Sequence, residues 1–335
     1  MKQRMVVLGL GVLLVVQMLA TTVAAKEYTV ALSPYYPFAP FIIANAKGFF
    51  AEAGIQVKPV YYDSVGEWYN AVLYDKVDIP VVWLTTHTDL LFGGKKFIVS
   101  GVISYDASYK LVAKADLPPE QWRGLNVGMT GDFFYARWML LEYLTSQHLT
   151  LADVKIVSMT EEELLQNFLA GRLKVVFLPG NVVDQAVKEG KGVVLATTTQ
   201  QQTLEAIAMT EQTYQAIAKE DLPKLYRGLL KALIWLNDPA NDAEQIAILQ
   251  KQFAGNPIFS DVTTLDALKK MRVMLPILKP EELAAANTTV LQDAYARMKA
   301  VRTEMGLPAD FDYNSIMNTS VFLDVLKAQG LGPKP

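Results

Sequence analysis

The run Tyr28–Val60, YTVALSPYYPFAPFIIANAKGFFAEAGIQVKPV, constrains this chain more than any other stretch. Tyr28–Leu32 is short and rich in β-formers. Ser33–Pro40 holds three prolines and two tyrosines, which argues against a regular element there. Phe41, Ile42, Ala46, Phe49 and Phe50 then follow near-helical spacing. Gly48 can end that helix, and Gly54 supplies the turn into a second strand, Ile55–Val60. Strand, helix and parallel strand make a βαβ unit. In open α/β sheets ligands sit at the carboxyl ends of the strands, where the loop Ser33–Pro40 falls.

The start of the chain predicts a compartment. Lys2 and Arg4 precede an apolar run, Met5–Val16, and Val23-Ala24-Ala25 fits a small-x-small cleavage site. This pattern predicts a secretory signal peptide cut near Ala25, because the run is shorter than the roughly 20 residues of a membrane span. The expected compartment is a bacterial periplasm. The chain has no cysteine, so neither a lipid on cysteine nor a disulfide is available. Cleavage leaves 310 residues with 29 basic against 34 acidic side chains, a net charge of −5. No basic block marks a nucleic-acid footprint. The length exceeds one ordinary core, so two lobes are expected.

Further βα patterns follow. Strands are read at Asp78–Leu84, Phe97–Ile103 and Tyr109–Lys114, with a short helix Thr88–Phe92. After a linker-like Leu117-Pro118-Pro119, a second set of strands is read at Leu125–Met129, Val154–Met159, Lys174–Leu178 and Val193–Thr197. Thr160-Glu161-Glu162-Glu163 is a capping box for the helix carrying Leu164, Leu165, Phe168 and Leu169, not a metal site. Pro179-Gly180-Asn181 is read as a loop before a helix Val182–Lys188. Leu204–Met209 should return the chain to the first lobe, and a helical tail follows. The expectation is two α/β lobes, each a mixed sheet flanked by helices. Residues 26–114 and 205–335 form one and 115–204 the other. Crossings fall near 113–116 and 200–206, with hinge closure between the lobes.

Several stretches carry a resemblance: YTVALSPYYPFAPFIIANAKGFF, AEAGIQVKPVYY, VDIPVV, KLVAKADLPPEQWRGLNVGMT and GLLKALIWLNDPANDAEQIAILQKQF. In this order they resemble the periplasmic solute-binding proteins of ABC importers, in the aliphatic-sulfonate, nitrate, taurine and thiamine-precursor group. The resemblance covers most of the chain after residue 25. It implies the two-lobe type II periplasmic-binding-protein fold, a small-molecule ligand, ABC permease subunits as partners and a monomer that meets the membrane only through the permease. A ligand-sensing partner of a periplasmic receptor is the alternative role.

Catalysis is poorly supplied. The two histidines are His87, at a strand end, and His148, at a helix end and read as a surface residue. No zinc spacing, G-x-S-x-G, P-loop or G-x-G-x-x-G occurs, so neither metal nor cofactor is expected. The resembled group includes a thiamine-pyrimidine synthase that consumes its own histidine and carries a cysteine-rich motif. This chain has no cysteine, so that carry-over fails and a non-enzyme is expected.

Binding is better supplied. Aromatic residues recur at predicted strand ends: Tyr35, Tyr36, Tyr61, Tyr62, Trp83, Tyr105, Phe133 and Tyr135. Each ring alone is as consistent with lobe packing, whereas the clustering suits a small-ligand site. Core packing is favoured for Phe133 and Phe134. Thr85 and Thr86 offer hydroxyls. Thr130-Gly131-Asp132, a loop that the resemblance assigns to ligand contact, precedes a helix whose amides could hold an anion. Asp132 as an N-cap would instead occupy them. Asn181 could cap its helix or bind. His87 could face the ligand or be a satisfied loop histidine. Asp63, Asp106 and Asp132 lie in these loops; no Lys or Arg does, Arg137 being the nearest. This balance favours a neutral or cationic nitrogenous ligand, heteroaromatic like a thiamine precursor. A sulfonate or nitrate anion is the alternative that the resemblance supplies.

Overall fold

The computed structural model describes residues 26–332 apart from 33–34, 63–64, 131–132 and 254–261. The expected signal peptide, Asp63 and Asp132 lie outside the described residues. Among the described residues no helix is long and apolar enough to cross a membrane.

Among the described residues, ten strands form two five-stranded sheets. The first contains β1 (Glu27–Leu32), β2 (Gln56–Tyr61), β3 (Ile79–Trp83), β4 (Phe97–Tyr105) and β10 (Leu204–Thr210), in the order β2-β1-β3-β10-β4. The second contains β5 (Lys110–Lys114), β6 (Asn126–Met129), β7 (Lys155–Ser158), β8 (Val175–Leu178) and β9 (Gly192–Thr197), in the order β7-β6-β8-β5-β9. The two orders match position by position. Each sheet has a parallel trio, then a strand antiparallel to both its neighbours: β10 in the first and β5 in the second. Strand β4 is buried for eight of its nine residues, as a strand covered on both faces must be.

The helices, in chain order, are α1 (Ala39–Ala46), α2 (Phe49–Glu52), α3 (Val65–Leu73), α4 (Leu84–Phe92), α5 (Phe134–Ser146), α6 (Glu161–Leu169), α7 (Gly180–Lys188), α8 (Gln200–Thr203), α9 (Glu211–Ile217), α10 (Asp221–Leu236) and α11 (Asp242–Gln252); further helices complete the carboxyl end. Gly48 (φ +73°) separates α1 from α2, and Gly54 (φ +80°) turns the chain into β2. The capping box at Thr160 is present: Glu163 N donates to Thr160 Oγ1 at 3.3 Å, and Thr160 N donates to Glu163 Oε2 at 2.9 Å.

Three boundaries differ from expectation, each where a helix starts early. Tyr36–Phe38 is a 3₁₀ turn leading into α1, so five of the eight residues Ser33–Pro40 are helical. Pro37 and Pro40 both sit in first turns, where the missing N–H costs nothing. Helix α4 begins directly after β3, so Thr85, Thr86 and His87 are helical rather than at a strand end. Gly180 and Asn181 belong to the first turn of α7.

The passage between sheets also differs. Strand β5, read as the strand crossing into the second lobe but with the lobe boundary set after residue 114, pairs along its whole length with β8 and β9 in the second sheet. The chain therefore passes over at 106–109, not near 113–116, and returns at 198–203. The two passages are tied together. Thr198 Oγ1 and Thr203 Oγ1 both donate to the Asp106 carbonyl, at 2.8 and 2.6 Å, and Thr198 N donates to the Tyr109 carbonyl at 2.9 Å.

Helix α5 joins the lobes by packing. Phe134, Trp138 and Leu141 belong to the core around the first sheet. Tyr135, Ala136, Met139, Leu140 and Leu144 belong to the core of the second. A helix apolar on all sides must be covered on all sides, and α5 is covered by both lobes.

Candidate ligand-binding site

Six segments converge where the sheets face each other. Tyr35 follows β1, and Trp83 ends β3. Asp106 and Tyr109 occupy the first passage, and Glu205 lies on β10 directly opposite Trp83. Tyr135 comes from the first turn of α5, and Phe177 from β8. The rings of Tyr35 and Trp83 meet edge-on at 6.4 Å, and those of Trp83 and Tyr135 at 5.0 Å across the lobes. Tyr109 stacks on Phe177 at 5.1 Å and meets Tyr135 at 5.5 Å. Phe133, exposed as the inward turn of Phe134 requires, stacks on Tyr135 at 5.6 Å.

Two carboxyls lie among these rings. Asp106 and Glu205 are each 1% exposed. Tyr35 Oη donates to Asp106 Oδ2 at 2.6 Å, and Ser108 N donates to Asp106 Oδ1 at 2.6 Å. Trp83 Nε1 donates to Glu205 Oε1. Burial pushes the Asp106 carboxyl above its ordinary range, opposed by the bonds from Ser108 and Tyr35 and by the charge of Lys110. Burial pushes Glu205 well above its range, with Trp83 and Tyr35 pulling it down and Asp106 adding to the rise. Burial also raises Tyr35, Tyr109 and Tyr135. The Tyr135 hydroxyl lies near that of Tyr109 but makes no hydrogen bond to a described residue; the same holds for Thr85 Oγ1 and Thr130 Oγ1, both buried. A buried polar atom without a partner calls for a water or a ligand.

Of the residues proposed from sequence, Tyr35, Trp83, Asp106 and Tyr135 are brought together. Tyr36 is not: its hydroxyl accepts from Gln245 Nε2 at 2.8 Å inside the first core. Tyr105 is half-buried against that core and carries the influence of Glu282, so alternation along the chain turns it away from Asp106. Tyr62 and Thr86 are half-buried, and among the described residues no side-chain bond places them in the cluster. Thr85 lies in the first turn of α4, and Thr130 just after β6. Asn181 is placed by its backbone alone, and Asp132 lies outside the described residues.

His87 is a satisfied core residue. Its Nε2–H donates to the Phe97 carbonyl at 3.0 Å, which leaves Nδ1 to accept from Tyr295 Oη at 2.9 Å. Burial lowers its pKa to about 4. His148 is exposed, with φ +57°. Neither histidine joins the aromatic cluster. Among the described residues no group of three or more acidic or histidine side chains could hold a metal ion.

Sequence reasoning missed Glu205, Tyr109 and Phe177. Glu205 had a visible signal, a single charge inside the apolar run Leu204-Glu-Ala-Ile-Ala-Met. A charge there is costly unless something uses it.

A sequence model of the NMT1-like family matches residues 23–250. No curated protein matches the chain. The structure is similar to that of the periplasmic aliphatic sulphonate binding protein SsuA from Escherichia coli, at 12% identity over 89% of this chain and 99% of that one, with a TM-score of 0.67. It is similar to the periplasmic nitrate-binding protein NrtA from Synechocystis PCC 6803, at 14% identity over 93% and 92% of the two chains, with a TM-score of 0.66. A putative sulfonate ABC transporter periplasmic binding protein from Methylobacillus flagellatus KT gives 0.68 at 13% identity, over 92% and 96%. These likenesses establish the two-lobe periplasmic-binding-protein fold.

Proposed function

The chain belongs to the NMT1-like family, and from that premise we propose that it is an exported solute-binding protein of an ABC importer. In this reading it works in the periplasm, captures a small organic solute between its two lobes and delivers it to the permease, whose ATPase does the chemical work. The observation that carries the reading is the meeting of Tyr35 and Trp83 from one lobe with Tyr135 from the other. It is a largely apolar site with a few fixed polar groups, as small-molecule sites are. The relatives named for binding sulfonate and nitrate support solute capture. The tied passages at 106–109 and 198–203 suit a hinge. A ligand touching both lobes favours the closed form by its differential affinity.

The test is native mass spectrometry of protein purified gently from its own host, followed by a thermal-shift panel of sulfonates, nitrate, taurine, amines and pyrimidines. A retained small mass, or a solute that raises the melting temperature, supports capture. Neither, across the whole panel, removes it.

A further inference from the structure

We propose, resting on the solute-capture reading, that this site selects a ligand bearing a protonated or quaternary nitrogen beside an apolar body. Asp106 and Glu205 are both about 99% buried, and each is held by neutral donors, Tyr35 and Ser108 for one and Trp83 for the other. No lysine or arginine among the described residues forms an ion pair with either. Lys110, whose charge reaches Asp106, directs its ammonium at Thr197 Oγ1, 3.4 Å away, and Arg137 already has a partner. Two buried carboxyls without a counter-ion make a site that a cation completes and an anion worsens.

A second, independent observation points to a ligand at the same place. Tyr135 is 2% exposed, its ring packs on Trp83 and Tyr109, and its buried hydroxyl, close to that of Tyr109, makes no hydrogen bond to a described residue. The rings around the carboxyls offer the faces that stabilise a desolvated cation. Burial by itself favours the neutral form of both carboxyls. A cation entering would reverse that balance, whereas a protonated carboxyl donating to an anion is the competing arrangement.

The test uses four probes that share one aryl body: benzylammonium, benzyltrimethylammonium, benzyl alcohol and benzenesulfonate. They are titrated calorimetrically into the full mature protein. The expected result is binding of both cations at least tenfold tighter than the alcohol, with the sulfonate weakest. In Glu205→Gln and Asp106→Asn the ratio of ammonium to alcohol affinity should fall toward one. The wild-type ranking stands as a test even if either variant fails to fold. Benzenesulfonate binding as tightly as the cations, or a cation preference that survives both substitutions, overturns the inference and leaves solute capture intact. Binding of none of the four overturns it as well, unless a solute retained through purification proves cationic. The capture reading itself falls only if, in addition, no solute is retained and none of the wider panel raises the melting temperature.

Discussion

Trp83 and His87, four residues apart, meet opposite surroundings: Trp83 touches the rings of both lobes, while His87 is fully buried and bonded in the first. The pattern of the chain puts Trp83 at the end of the third strand and His87 just beyond it. Only Trp83 reaches the cluster, because α4 starts at once and turns His87 into the core. Tyr36 and Tyr105 looked as suitable as Tyr35, and the one-residue alternation that separates them is invisible without the strand and turn geometry. Replacing Trp83 by Ala removes the ring that meets both lobes and the donor to Glu205. The expected loss is about 2–4 kcal/mol of binding, roughly 30- to 1,000-fold in Kd. Calorimetry with any solute that shifts the melting temperature measures it, and unchanged affinity takes Trp83 out of the site. His87 makes a prediction about stability instead. Its folded pKa of about 4 lies below the unfolded value, near 6.5. The unfolded chain therefore takes up a proton first as the solution is acidified. Stability present above pH ~6.5 is lost as pH falls toward ~4, at about 1.4 kcal/mol per pH unit. Asp106 and Glu205 act oppositely, since their raised values favour the fold at low pH and lose that effect as pH rises. They are common to wild type and His87→Gln, so they cancel in the comparison. Urea unfolding at pH 7.5, 5.5 and 4.5 should show the wild type losing about 3 kcal/mol more than the variant over this range. Parallel curves would sink the assignment.

At the scale of elements, the periodic patterns located the strands and most helices, because apolar spacing reports burial directly. What the patterns misplaced were helix starts. Pro37, Pro40 and Gly180 read as breakers, yet the first turn of a helix is where proline is tolerated, and Gly180 opens α7 directly after Pro179. The start of α6 was legible because its side chains name their own partners: Thr160 and Glu163 satisfy each other's backbone N–H groups. Thr160→Ala should cost about 1 kcal/mol. The loss should appear in global unfolding, since Leu164, Leu165 and Phe168 anchor α6 against the second sheet. Faster amide exchange confined to the first turn of α6 would accompany it. A variant with wild-type urea midpoint would show that the box is ornamental to the fold.

At the scale of the whole molecule, length and two βα series announced two lobes. The expected boundary falls one strand late because the linker-like Leu117-Pro118-Pro119 marks a break in the pattern, whereas the actual passage lies before β5, at 106–109, where no such break occurs. Nor does sequence show that α5 packs on both cores, since its apolar residues surround the helix instead of forming one stripe. This helix sets the last prediction. The seam between the lobes contains the buried Trp138, packed beside Phe134 at 6.1 Å, and an ion pair from Arg297 Nε to Glu142 Oε1 at 3.1 Å. The ion pair is 46% and 36% exposed, so Arg297→Ala should cost at most about 1 kcal/mol. Trp138→Ala removes a core ring, worth about 3–5 kcal/mol where the site cannot collapse. If the seam forms on closure, that loss falls on the closed state, and the apparent Kd rises as the closed fraction falls. Small-angle scattering should then show a larger radius of gyration for Trp138→Ala without ligand, reversed at saturating ligand, while Arg297→Ala stays close to wild type. A Trp138→Ala protein with a lower urea midpoint but unchanged radius and affinity would mean that α5 stays packed on the first lobe throughout. Closure would then pivot elsewhere, at the tied passages 106–109 and 198–203 alone.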